Sequence, residues 1–170
     1  MKAFKGTIHF LKTHYETKGR YYGMILDMLQ KENVQILDSV TDWQEVVYIS
    51  TKNLIEQGYI TEKYPEKIIE LTEKHGAYYV LCPDVALLHA RPEDGVIRRQ
   101  LSVTLVKEPI TFKGKKDTVR LIVTIAAEDS ESHLGALQKI AEIISNEERI
   151  KSLVGINDAE KLYAEFVSVQ

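Results

Sequence analysis

The chain has 170 residues with 22 basic and 25 acidic side chains, a net charge of −3, and is 44% hydrophobic and 28% charged. This composition excludes collagen-like repeats, a disulfide scaffold and a wholly disordered chain, and it suits a single domain that buries roughly 70% of its unfolded surface. No segment reaches the ~20 apolar residues of a membrane span, the charge balance leaves no footprint for DNA or RNA, and a lone cysteine, Cys82, rules out an internal disulfide or a zinc site on paired cysteines.

With no secretory signal, the sequence reads as cytoplasmic. Met1–Gly23 stand apart: Lys2, Lys5, Lys12, Lys18 and Arg20 against Glu16 give +4, leaving −7 for the remainder. They also carry His9, His14 and three glycines, without helical or alternating periodicity. They lack the apolar h-region and small-residue cleavage site of a signal peptide. The segment reads as a disordered basic extension. A sharper alternative places the true start at Met24, since Lys18-Gly19-Arg20 can be encoded by codons resembling a ribosome-binding site. The domain division is therefore 1–23 and 24–170.

From Met24 the local signals strengthen. Met24–Gln30 reads as a short helix and Val34–Leu37 as a strand. Thr41 with Gln44 forms a capping box opening a helix that carries Trp43, Val46, Val47, Leu54 and Ile55 and stops at Gly58. Thr61 starts a second helix with Tyr64, Ile68, Ile69 and Leu71 facing inward, ended by Gly76. Tyr78–Leu81, Val85–Leu88, Leu101–Val106 and Val119–Ala127 read as strands, the third alternating Leu101, Val103, Leu105 against Ser102 and Thr104. Asp129 or Ser130 caps a long amphipathic helix bearing Leu134, Leu137, Ile140, Ile143 and Ile144, followed by short helices at Glu148–Val154 and Asp158–Val167. Pro65, Pro83, Pro92 and Pro109 mark the middle third as the place where loops concentrate. Helices before, between and after strands predict a three-layer α/β domain.

Neither a phosphate-binding glycine loop nor a metalloprotease or serine-hydrolase motif occurs. What remains is histidine chemistry. His89 ends an apolar strand and is followed by Arg91 and a Pro/Asp/Gly turn. His133 falls in the first turn of a helix that follows another apolar strand, where backbone N–H groups and the helix dipole favour anions. Both stand at strand exits, where ligand sites of α/β proteins gather. Each also has a structural reading, His89 as a hydrogen-bonded strand-end residue and His133 as a cap. His75, beside Gly76 at a helix C-terminus, reads as structural, and Cys82 as an inert buried thiol. Asp84, Glu93 and Asp94 lack a ligand spacing and fit turn chemistry. A metal-dependent hydrolase built on His89, His133 and Asp84 is a minor alternative.

At these residues the sequence resembles the IIA component of the bacterial sugar phosphotransferase system, mannitol/fructose type (type 2), and within it the ascorbate-specific branch. The resemblance runs from about Met24 to Phe166. It rests on Asp42-Trp43-Gln44-Glu45-Val46, on Gly76-Ala77-Tyr78-Tyr79-Val80, and on Val85-Ala86-Leu87-Leu88-His89-Ala90-Arg91-Pro92-Glu93-Asp94-Gly95-Val96. Leu105–Phe112 with Pro109, and Leu121–Ala127 running into Ser132-His133, complete it. The resemblance implies a mixed, roughly five-stranded sheet with helices on both faces. It implies a phosphotransferase activity in which His89, through its ε-nitrogen, takes a phosphoryl group from the carrier HPr. The group then passes to a cysteine of the cognate IIB component, for uptake of ascorbate or a related sugar through the IIC membrane permease. His133 matches the family's second active-site histidine and Arg91 the ascorbate-branch pattern. Neither cofactor nor metal is implied. The family's usual proline before the active histidine is here Leu88, which leaves the backbone less restricted. The alternative within this resemblance is a regulatory module in which phosphorylation of His89 only signals, without a transport partner.

Overall fold

A computed structural model describes residues 27–168, with the side chains of residues 131–133 excluded. The expectations for Met1–Gly23 lie outside the described residues. Five strands, β1 (Leu29–Leu37), β2 (Val80–Cys82), β3 (Asp84–Leu88), β4 (Gln100–Thr111) and β5 (Thr118–Ala126), form one sheet in the order β1-β4-β5-β3-β2. β1 runs parallel to β4 and β3 parallel to β5, while β4/β5 and β2/β3 are antiparallel. Helices α1 (Trp43–Glu56) and α2 (Lys63–His75) cover one face, and α3 (Ser130–Ile143), α4 (Glu147–Val154) and α5 (Ala159–Val167) the other. The three-layer, mixed five-stranded α/β architecture is the expected one. Among the described residues no helix is long and apolar enough to cross a membrane.

The period of two along the central strands divides the core. Val103, Leu105, Leu121, Val123 and Leu87 pack against Ala136, Ile140, Leu153 and Phe166. Val106, Ile122, Ala86 and Leu88 pack against Val46, Val47, Leu54, Tyr64 and Ile68. The polar side of the β4 alternation is not solvated. Ser102 Oγ donates to the Ser50 carbonyl at 2.5 Å and Ser50 Oγ to Thr104 Oγ1 at 3.0 Å, so α1 covers a hydrogen-bonded polar seam.

Several boundaries differ from expectation. Leu29 and Gln30 belong to β1 instead of a helix, because the ladder with β4 begins at the Leu29–Leu101 pair. Met24 lies outside the described residues. The α1 cap is Asp42, whose carboxylate accepts from Glu45 N–H at 2.8 Å; the cap is thus one residue after the expected Thr41, and Glu45 accepts from Thr41 N–H in place of the expected Thr41/Gln44 box. α2 begins at Lys63 instead of Thr61, whose carbonyl accepts from Tyr64 N–H in a turn that leads into the helix. The strand expected at Tyr78 begins at Val80, and Tyr78 lies in the turn before it. Two prolines are not in loops. Pro65 sits in the first turn of α2, and Pro109 lies in β4 where the register with β5 shifts between Leu105 and Ile110, a place where a missing N–H costs no ladder bond.

Candidate active site

β3 and β5 are parallel neighbours, so their C-terminal ends lie side by side. β3 delivers His89 directly after Leu88, and β5 leads through Glu128 and Asp129 into α3. A cleft of about 480 Å³ opens between these two exits, lined among others by Tyr78, His89, Arg91, Asp129, Ser130 and Leu134. His133 falls in the first turn of α3, which starts at this cleft; its side chain is outside the described residues.

The half-buried His89 ring is oriented by its own strand. Nδ1–H donates to the Leu87 carbonyl at 2.7 Å, which leaves the lone pair of the neutral imidazole on Nε2. Burial lowers the His89 pKa below its ordinary value, and the Leu87 hydrogen bond opposes this only in part. The ring is therefore neutral, and hence nucleophilic, at neutral pH.

Arg91 follows on an extended residue that opens a single 3-10 turn, Pro92–Asp94. Its backbone N–H donates to Asp94 Oδ2 at 3.1 Å, and its side chain pairs with Asp94 (3.4 Å) and Glu93 (3.6 Å) while staying 68% exposed. Such a pair is worth roughly 0–1 kcal/mol, so an incoming anion can recruit the guanidinium at little cost. Glu93 and Asp94 thus serve the turn.

Two tyrosines that sequence reasoning left unassigned complete the site. Tyr78 OH donates to the His89 carbonyl at 2.8 Å, and its ring meets the imidazole edge-on at 5.4 Å. Burial, then Asp94, raises the Tyr78 pKa, so the hydroxyl keeps its proton. Tyr64, wholly buried in α2, accepts from Ala90 N–H at 3.0 Å and donates to the Ile125 carbonyl at 2.5 Å. A phenol read as one more apolar residue of a helix face carries no signal in sequence that its oxygen meets a loop after the third strand.

The remaining candidates fall elsewhere. Asp84 heads β3, at roughly 16 Å of strand from His89, and is engaged by Arg120 through two bonds of 2.7 and 3.0 Å. It cannot join His89 in a metal site, and among the described residues no group of three His, Cys, Asp or Glu could hold a metal. His75 is exposed at the end of α2. Cys82 is buried, and desolvation pushes its thiol up to about 12, which makes it a poor nucleophile.

Fold and site together define a class: an α/β domain that presents a neutral, strand-oriented imidazole beside a helix N-terminus in an open cleft. Residues 27–168 match the family described as phosphoenolpyruvate-dependent sugar phosphotransferase system, EIIA 2, and the chain belongs to that family. It is 34% identical over 142 residues to the mannitol-specific cryptic phosphotransferase enzyme IIA component of Escherichia coli, covering 84% of this chain and 96% of the relative. Identity to the ascorbate-specific EIIA component of Shigella boydii is 29% over 129 residues, 74% of this chain and 83% of that one. The solution structure of the cryptic mannitol IIA component from Escherichia coli superposes with a TM-score of 0.81 at 31% identity, covering 85% of this chain and 99% of that one. Components of this family are phosphotransferases of sugar transport.

Proposed function

We propose that this protein is a cytoplasmic phosphocarrier in which His89 accepts a phosphoryl group from phospho-HPr and passes it to a cysteine of a cognate IIB component. Sugar then enters through the IIC permease, with ascorbate or a related sugar as the transported class. The IIA unit is residues 24–170, and Met1–Gly23 form an extension to it. The observation that carries the reading is the His89 imidazole, neutral, with Nδ1–H fixed on Leu87 and opening on the cleft.

In the transfer, the Nε2 lone pair attacks the donor's phosphorus. The new N–P bond forms as the donor's N–P bond breaks, and its electron pair returns to the donor imidazole. The proton stays on Nδ1, and its hydrogen bond to the Leu87 carbonyl helps the ring carry the positive charge. Phosphoryl transfer asks mainly for in-line placement and charge stabilisation. Arg91 supplies charge-assisted hydrogen bonds of about 1.5–3 kcal/mol each, and His133 a further donor beside the N-terminal N–H groups of α3.

Incubation with phosphoenolpyruvate, enzyme I and HPr is expected to add one phosphoryl group to His89, stable in alkali and lost in mild acid. His89→Ala abolishes it and His75→Ala leaves it. His133→Ala folds normally and slows transfer by roughly 10²–10³, His133→Gln by less. Label that persists in His89→Ala, or maps to His75 or Cys82, defeats the assignment. Label that forms but never reaches a purified IIB partner favours a signalling module.

A further inference from the structure

The peptide that follows His89 is held at both of its polar atoms. Its carbonyl, that of His89, accepts from Tyr78 OH at 2.8 Å, and its N–H, that of Ala90, donates to Tyr64 OH at 3.0 Å. The two hydroxyls come from different elements. Tyr64 reaches from α2 and anchors itself on the Ile125 carbonyl of β5. Tyr78 stands in the turn before β2, 42% exposed, at the edge of the cleft.

Fixing both polar atoms of a planar peptide fixes the torsions on either side of it. With Nδ1–H also committed to Leu87, neither the backbone nor the ring of His89 can turn without breaking a hydrogen bond. Tyr78 is itself braced: its ring packs edge-on against Tyr79 at 5.1 Å, and Tyr79 against Phe112 at 5.6 Å. Its own edge-on contact with the imidazole, planes at 89°, occupies space that solvent would otherwise fill.

We propose that Tyr78 is a positioning residue for the transfer: its hydroxyl, with that of Tyr64, clamps the His89–Ala90 peptide, and its ring keeps water off one side of the imidazole. The clamp rests on the phosphocarrier reading for its purpose. It holds Nε2 in one line toward the donor's phosphorus. The ring also slows the wasteful reaction, in which a water oxygen attacks phosphorus, the N–P bond breaks with its electron pair returning to Nε2, and inorganic phosphate leaves with both of the water's protons.

Two variants of the full chain separate hydroxyl from ring. Tyr78→Phe is expected to slow labelling about two- to tenfold, the scale of one net hydrogen bond, and to keep the lifetime of the phosphorylated protein. Tyr78→Ala slows labelling further and shortens that lifetime severalfold. Imidazole NMR gives a readout that needs no phosphoryl donor. In Tyr78→Phe the His89 titration stays low. In Tyr78→Ala it rises toward the ordinary histidine value, and the Nδ1–H tautomer loses its dominance. Should Tyr78→Ala fail to fold, the labelling rate of Tyr78→Phe decides. A Tyr78→Ala protein with wild-type titration, tautomer, rate and lifetime overturns the clamp while leaving the phosphocarrier intact. Wild-type protein that takes no label overturns the phosphocarrier reading, and the NMR comparison then still judges the clamp.

Discussion

For an imidazole to act as a nucleophile at neutral pH, one nitrogen must keep its lone pair and the ring must resist protonation. His89 meets both demands by local means: the Leu87 carbonyl accepts a hydrogen bond from Nδ1–H, which keeps the lone pair on Nε2, and burial disfavours the cation. Arg91, Asp129 and Tyr78 share its cleft, yet burial outweighs the opposing Leu87 hydrogen bond at His89. A pKa lowered in the folded state means that the unfolded chain binds the proton more readily. The labelling rate is therefore expected to stay flat as pH falls from neutrality and to decline below about 6.5. Stability drawn from the neutral ring is fully present above that value and is lost as pH falls through the window beneath it. An acid limb of the labelling profile centred above 6.5 contradicts this account. That His89 is a candidate was legible from its place after an apolar strand. Its tautomer and its tyrosine contacts were not, because they depend on Leu87, Tyr78 and Tyr64 atoms that no spacing rule connects.

At the scale of elements, the helices follow their local chemistry closely. Asp42, Asn146 and Asp158 each accept from backbone N–H groups of the helix they open, as short polar side chains at N-caps do. Asp42→Ala is expected to cost about 1 kcal/mol, read as a lower denaturation midpoint with an unchanged slope, and Thr41→Ala much less. Equal losses at the two positions would return the cap to Thr41. Strands are less local. Leu29 and Gln30 sit in an apolar-rich run whose period does not distinguish a helix turn from a strand, and pairing with β4 decides it. Ser102 and Thr104 look like a solvated strand face until α1 settles over them.

Across the whole molecule, the site exists because of strand order. β3 and β5 are separated in sequence by β4, yet they pair in parallel inside the sheet, so the loop carrying His89 and the start of α3 meet beyond the C-terminal ends of the two strands. The family match begins at residue 27, and the two apolar clusters close both faces of the sheet. A chain starting at Met24 is accordingly expected to keep its thermal midpoint within a few degrees and to label as the full chain does; unfolding on truncation would make Met1–Gly23 part of the folded unit. The sequence by itself determined the alternation of helices and strands, the three-layer class and the histidine at the end of an apolar strand. All of these follow from periodicity and from interactions a few residues long. Only the tertiary structure decided that Tyr64 and Tyr78 hold the peptide after His89, that Asp84 stands at the far end of its strand with Arg120, and that the polar side of β4 is buried. Those outcomes are set by hydrogen bonds between residues distant in the chain, which form only once the sheet has fixed which strands lie side by side.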